Sequence, residues 1–316
     1  TLSLLIGLLV VSSGVVSSAA VAIGAAAYLE VFVPLSPQIL TALVILLVGL
    51  VAVWGILESV ALAALFTVIE IGGLGLVVWF GLASDPAPIA NLIPPLEAGA
   101  WNGIVAAGLL AFFAFVGFED IANVAEEVKQ PGRTLPRGII LTLIIATLIY
   151  FTVVSVVVLV VPMSALVGSA APLALIFESA GPQVSTLFSI IAIIATVNGA
   201  LIQVIMASRV LYGLAAQGSL PAVLANVNGI THTPLLATGL VVAIIFVLAY
   251  FLPIGELAEM TSTIVLIVFA FVNMALLRLK WTGTPPTGDV FQVPFWVPVL
   301  GLLSSGGLLL AGYFLS

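Results

Sequence analysis

The chain has 316 residues, 63% of them hydrophobic and 6% charged, with a mean hydropathy of +1.41. A soluble globular domain carries about 25% charged residues, so this composition excludes one and leaves an integral membrane protein of many helices. The net charge of −7 includes six Lys and Arg with no long basic run, which argues against nucleic-acid binding, and zero cysteines exclude disulfides and thiolate sites.

About 20 apolar residues cross 30 Å of hydrocarbon, and nine stretches are read as spans. Thr1 opens within apolar sequence without a basic leader region, which predicts a cut or processed start. The first span is predicted over 2–29, with Pro34 and Pro37 after it, the second over 39–57 and the third over 60–82. Glu70 lies midway along the third, between Ile69 and Ile71, and Gly72 and Gly73 beside it are read as close-packing glycines. A loop rich in Pro and acidic residues, 83–101, leads to the fourth span over 102–128. The remaining spans are predicted over 137–161, 184–213, 234–252, 258–280 and 294–315.

Charge placement orients these spans. Lys129, Arg133, Arg137, Arg209, Arg278 and Lys280 all fall on one face when the crossings are counted. The loops of the other face carry Glu30, Asp85, Glu97, Glu178, Glu256 and Glu259 and no Lys or Arg. The positive-inside rule makes the basic face cytoplasmic, loops 129–137 and 278–280 included, in a multi-pass protein of the cell membrane. Thr1 then starts inside and Ser316 ends outside. His232, the single histidine, falls in an inner loop, so no histidine cluster exists for zinc or haem.

The fourth span is anomalous. Its apolar run from Gly103 to Phe118 is short, and Glu119, Asp120, Asn123, Glu126 and Glu127 follow before Pro131. A carboxylate at mid-membrane costs about 2.5–3.5 kcal/mol on insertion scales, so it faces a cavity or carries a proton. Gly117 permits a break that leaves backbone groups unpaired, and such backbone is tolerated where it lines a cavity or meets a ligand. A short, glycine-interrupted apolar segment therefore points to a transporter's substrate site. The alternative places Glu119 near the inner interface and Gly117 in plain helix packing. Glu126 and Lys129 stand at a spacing that allows a helical ion pair.

The segment FFAFVGFEDIANVAEEVKQPGRTLPRGI (112–139) resembles the sixth-helix signature of the amino acid–polyamine–organocation transporters. GILESVALAALFTVIEIGGLGLVV resembles the family's fifth helix, and MASRVLYGLAAQGSLPAVLANVN the end of its eighth. ELAEMTSTIVLIVFAFVNMALLRLK resembles the tenth, and FQVPFWVPVLG the start of the eleventh. The resemblance implies an all-α polytopic membrane helix bundle of the inverted-repeat, leucine-transporter-type fold, with nine spans present as family helices three to eleven. It implies one transporter domain over 1–316: a remnant of the first inverted repeat over 1–82, the second repeat over 102–280 and an additional helix over 294–315. Family helices one, two and twelve are expected to be missing by truncation, and with them the partner broken helix that holds the substrate carboxylate.

For the half of the site that is present, the resemblance implies that Phe113, Ala114, Phe115, Val116 and Gly117 face the substrate's ammonium group. Unwound carbonyls are fixed dipoles in low dielectric, and the Phe113 and Phe115 rings could add cation–π attraction; plain packing is the alternative for both rings. Glu119 is marked as a gating or proton-linked group, with a hydrogen-bonded helix pin as the alternative. Some proton-coupled relatives are similar at Glu70 but carry a Lys there. Glu70 departs from that pattern and could itself carry the proton, or help hold sodium, a hard cation that prefers oxygen ligands. Asn198, Gln203, Thr261 and Ser262 are candidates for contact with substrate or for the outer gate; interhelical hydrogen bonds of about 0.6–2 kcal/mol are the alternative.

The expected function is secondary transport of amino acids by alternating access, proton-coupled or by exchange, with no cofactor beyond a proton or sodium as coupling ion. The expected partners are a small-molecule amino acid and the lipid bilayer, with no nucleic acid. An enzyme is not expected: no buried His accompanies a Ser, Asp120 has no intramembrane Asp partner, and no phosphate-binding loop is present. The competing reading is a transporter-derived sensor that binds an amino acid without moving it.

Overall fold

A computed structural model of the chain describes residues 2–54, 60–95, 97–178, 180–283 and 291–315. The predicted end of the second span at 57, and the side chains of Asn123, Glu126 and Glu127 with the Glu126–Lys129 pairing, lie outside the described part. Among the described residues the regular elements are helical: α1 (Leu2–Leu29), α2 (Pro37–Trp54), α3 (Val60–Ala83), α4 (Ala98–Phe113), α5 (Pro131–Val160), α6 (Met163–Gly168), α7 (Pro182–Ala216), α8 (Leu235–Phe251), α9 (Ile254–Trp281) and α10 (Trp296–Leu315). Helices are what lipid demands, because every backbone N–H and C=O must find its partner within the segment. Eight stretches among the described residues are long and apolar enough to cross a membrane, and α8 is a shorter apolar helix. The chain is a multi-pass membrane protein.

Proline and glycine punctuate the helices. Pro37, Pro131 and Pro182 are each the first helical residue, where a missing N–H costs nothing and φ is already helical. Gly181, with φ of +97°, turns the chain into α7.

The chain divides into two compact units. One comprises residues 14–94 and 147–257, and α7 is its longest helix. Here α2, α7 and α8 pack on one another and α3 packs on α7. The α1 stretch through Ser17, Ser18, Ala19, Ala20, Ala22, Ala25 and Ala26 is buried, and the Ser18 hydroxyl donates to the Ala200 carbonyl of α7 at 3.3 Å. Small side chains let these two helices approach closely, which lipid-solvated bundles use in place of a hydrophobic driving force. Residues between α5 and α7 fold back as α6 and a 3₁₀ turn, Pro172–Phe177, whose Phe177 is fully buried. Its ring stacks on Phe188 at 4.5 Å and meets Phe80 edge-on at 5.4 Å.

The other unit comprises residues 1–13, 95–146 and 258–316. Its main pairing is α4 with α10. Gly108 of α4 admits Leu308, and Gly312 of α10 admits Leu109, whose Cδ2 would stand 2.9 Å from a Cβ there.

Candidate functional site

In the α4 unit the fourth span is interrupted. The α-helix stops at Phe113, and the N–H groups of Ala114, Phe115 and Val116 donate to the carbonyls three residues back at 3.2, 3.0 and 3.1 Å. Gly117 follows with φ of +115°, a value that favours glycine, and a 3₁₀ helix then runs over Phe118–Glu127. The hydrophobic run Gly99–Ala122 is therefore two helical pieces joined by a turn at 114–117, not one rod. This is the break that Gly117 and the shortened apolar run predicted. A stretch of 3₁₀ in the middle of a span often marks a hinge or a sequence under strain.

Glu119 closes the turn. The Gly117 N–H donates to Oε2 of Glu119 at 2.8 Å, and the Asp120 N–H donates to the Gly117 carbonyl at 3.2 Å. The carboxylate thus supplies an acceptor to a backbone N–H that the break has removed from the α-helical ladder. It also sits in the first turn of the 3₁₀ helix, where the positive end of the backbone dipoles favours an anion. Phe113, Phe115, Val116 and Gly117 are half-buried and Ala114 is exposed.

Two aromatic rings flank the break, and sequence reasoning assigned neither. Phe112, one residue before the end of α4, and Phe118, the first of the 3₁₀ helix, both meet Phe269 of α9, with ring centroids 6.1 and 5.7 Å away. The amide of Asn273, one turn further along α9, donates to the Phe269 carbonyl at 2.8 Å. Gly301 of α10 lies against that amide: a Cβ there would stand 2.6 Å from Oδ1 and 2.8 Å from Nδ2. Thr261 and Ser262, also on α9, are fully buried, and the Ser262 hydroxyl donates to the Ala258 carbonyl of its own helix at 3.0 Å.

The α7 unit holds the other candidates. Glu70 on α3 is half-buried and accepts a hydrogen bond from the side-chain amide of Asn198 on α7 at 2.9 Å, so two separately predicted residues form one interhelical pair. The same face of α3 continues through Gly73, Val77 and Gly81, all buried and spaced at one helical turn. A Cβ on Gly73 would stand 2.6 Å from Ile191 Cγ2 of α7, whereas Gly72 faces open space. Close packing holds for Gly73 and not for Gly72, which points away from α7. Gln203 reaches α1, its Oε1 3.2 Å from where a Gly14 Cβ would sit. Among the described residues no group of three or more His, Asp or Glu side chains is arranged to hold a metal ion.

Two constellations result: the break with its Glu119 latch and Phe269 partner, and the Glu70–Asn198 pair. Each lies within one unit. The sequence signals were a misplaced Gly and acid for the first and a lone mid-span carboxylate for the second. The Phe112, Phe118 and Phe269 rings carried no distinguishing signal, since seventeen Phe residues are spread through the apolar sequence.

Comparison with known proteins adds a family. Residues 2–315 match the family model described as amino acid permease. The chain is 29% identical over 247 residues to the branched-chain amino acid permease BcaP of Bacillus subtilis, covering 78% of this chain and 52% of that protein. It is 30% identical over 254 residues to the vacuolar cationic amino acid transporter 4 of Arabidopsis thaliana, covering 78% and 41%. It is 29% identical over 266 residues to a methylthioribose transporter of Bacillus subtilis, covering 84% and 56%. The chain spans about half the length of these curated relatives.

Proposed function

The chain belongs to the amino acid permease family, and on that premise we propose that the protein it represents moves amino acids across the cell membrane as a secondary transporter working by alternating access. The observation that carries this reading is the interruption of the fourth span at 114–117, inside apolar sequence and next to Glu119. Irregular backbone at membrane depth is retained where it serves a ligand or lines a cavity, and broken helices near mid-membrane are how secondary transporters build their sites. In this reading carbonyls of the segment from Phe113 to Gly117 receive the substrate's ammonium group, and the Phe113 and Phe115 rings wall the site. Asn198, Gln203, Thr261 and Ser262 stand as secondary candidates; the fully buried Thr261 and Ser262 would reach substrate only after α9 moves.

Glu119 is the proposed proton-linked gate. Its carboxylate accepts the Gly117 N–H; a proton on the carboxyl removes its charge and weakens that charge-assisted bond, which loosens the turn and links protonation to the shape of the substrate segment. Glu70, paired with Asn198, is the second proposed proton carrier, with sodium as the alternative ion. The basic segments 129–137 and 278–280, expected as loops, lie largely in the first turns of α5 and the last turn of α9, and charge assigns both to the cytoplasm.

Counterflow tests the reading. Proteoliposomes holding the full-length protein and preloaded with one unlabelled compound are offered a labelled trace of it, using a branched-chain amino acid, a cationic amino acid and methylthioribose in turn. Accumulation with any amino acid supports transport. Saturable binding without accumulation of any of them replaces transport with sensing.

A further inference from the structure

We propose that Phe269 is a positioning residue that holds the interrupted fourth span in its broken form, so that α9 sets the geometry of the proposed substrate segment. In an uninterrupted α-helix, residues six apart stand about 9 Å apart along the axis and about 120° apart around it, so their side chains leave on different faces. Phe112 and Phe118 are six apart, yet both rings meet the one ring of Phe269, at 6.1 Å and 85° and at 5.7 Å and 58°. The turn at 114–117 is what lets one ring meet both. The three-ring contact therefore depends on the break: straightening the segment separates at least one pair, and loss of the Phe269 ring removes a contact that favours the broken form beside the Gly117–Glu119 hydrogen bond. Edge-to-face and tilted pairs of this kind favour defined geometries beyond the area they bury.

Phe269 is itself held. Asn273 donates to its carbonyl, and Gly301 leaves room for the Asn273 amide to lie against α10. A line of contacts thus runs from Gly301 through Asn273 and Phe269 to both edges of the break, all within one unit. A shift of α9 would move the Phe269 ring and with it the flanks of the turn. The role in transport rests on the function proposed above; the role in holding the break does not.

The test uses a cysteine introduced at Ala114, inside the turn, in the full-length protein in proteoliposomes; the chain itself contributes no other thiol, and the parent protein without the new cysteine is the blank. The rate of thiol modification is compared in wild-type, Phe269→Leu and Phe269→Tyr backgrounds, each first shown to be monodisperse. Phe269→Leu keeps apolar bulk and loses the ring; Phe269→Tyr keeps the ring. The expected result is a change of about tenfold in modification rate for Phe269→Leu, the size two lost ring pairs imply, with Phe269→Tyr restoring the wild-type rate. Counterflow KM is expected to change in the same variant more than the maximal rate does. A modification rate in folded Phe269→Leu equal to that of wild type overturns the proposal. If Phe269→Leu fails to fold, Phe112→Leu is measured instead and the same rule applies. Failure of wild-type counterflow with a shifted modification rate would remove the transport reading and leave Phe269 as the residue that holds the break.

Discussion

The backbone N–H of Gly117 donates to the side-chain carboxylate of Glu119 two residues later, at 2.8 Å, across the point where the fourth span changes from α-helix to 3₁₀. One acid thus closes the break and, in the proposed function, carries the proton. Glutamine separates the two roles, because it keeps an oxygen acceptor and loses the titrating group. Glu119→Gln is expected to keep the fold and amino-acid binding while uptake loses its dependence on pH. Glu119→Ala is expected to lose binding as well. Uptake against pH for both variants, with binding measured in detergent, checks this; pH dependence unchanged in Glu119→Gln removes the proton role.

Gly117 adopts φ of +115°, where a β-carbon is strained. Gly117→Ala is expected to lower stability by about 1–3 kcal/mol, or to push the segment toward a continuous helix, with loss of counterflow in either case. Thermal unfolding in detergent and counterflow together report it. Full activity at wild-type stability would return Gly117 to ordinary helix packing.

The Glu70–Asn198 hydrogen bond joins α3 to α7. A double-mutant cycle with Glu70→Gln and Asn198→Ala is expected to give a coupling of about 0.6–2 kcal/mol in reversible unfolding, the range for interhelical bonds in membranes. The Asn198→Ala single variant is expected to be the worse of the two singles, since it leaves the carboxylate without its donor. If Glu70 carries the coupling ion, Glu70→Gln also removes gradient-driven uptake while leaving exchange intact. Strict additivity would show that the pair does not fasten the helices.

Gly72 and Gly73 are neighbours with opposite expectations. A methyl group on Gly73 meets Ile191 at 2.6 Å, while Gly72 faces open space. Gly73→Ala is expected to cost about 1–3 kcal/mol by overpacking, and Gly72→Ala to be neutral or to gain up to about 1 kcal/mol from helix propensity. Thermal unfolding of the two variants side by side reads the difference.

Most of the fold was legible in the sequence because lipid permits so few structures. Apolar length placed a helix at each predicted span, but eight stretches among the described residues are long enough to cross and the seventh prediction, 234–252, is the shorter α8. The helix ends differ where chemistry other than hydropathy decides. The fifth span was predicted from 137, yet α5 begins at Pro131, since proline is a natural first residue and the basic first turns extend the helix beyond the apolar run. The fourth was predicted through 128, but its α-helix ends at Phe113, and Gly117 with the acids after it had marked that segment. The buried Phe177 turn and the α6 helix before it were not foreseen, as apolar loop residues look the same in sequence whether they plug a bundle or cover it. The site was legible only in part. Glu70 and Asn198 each stood out as polar residues in apolar spans, but pairing residues 128 apart requires the packing of α3 on α7. Phe269 was invisible, because one phenylalanine among many acquires its role only from the two rings that converge on it.

Net uptake of a labelled mixture of amino acids by proteoliposomes containing the full-length protein, with and without an inward proton gradient, tests the central claim most directly. Saturable uptake that the gradient accelerates, and that Glu119→Gln no longer accelerates, is the expected result. Amino-acid binding with no uptake under either condition would contradict transport and leave a protein that recognises an amino acid at the interrupted helix without moving it.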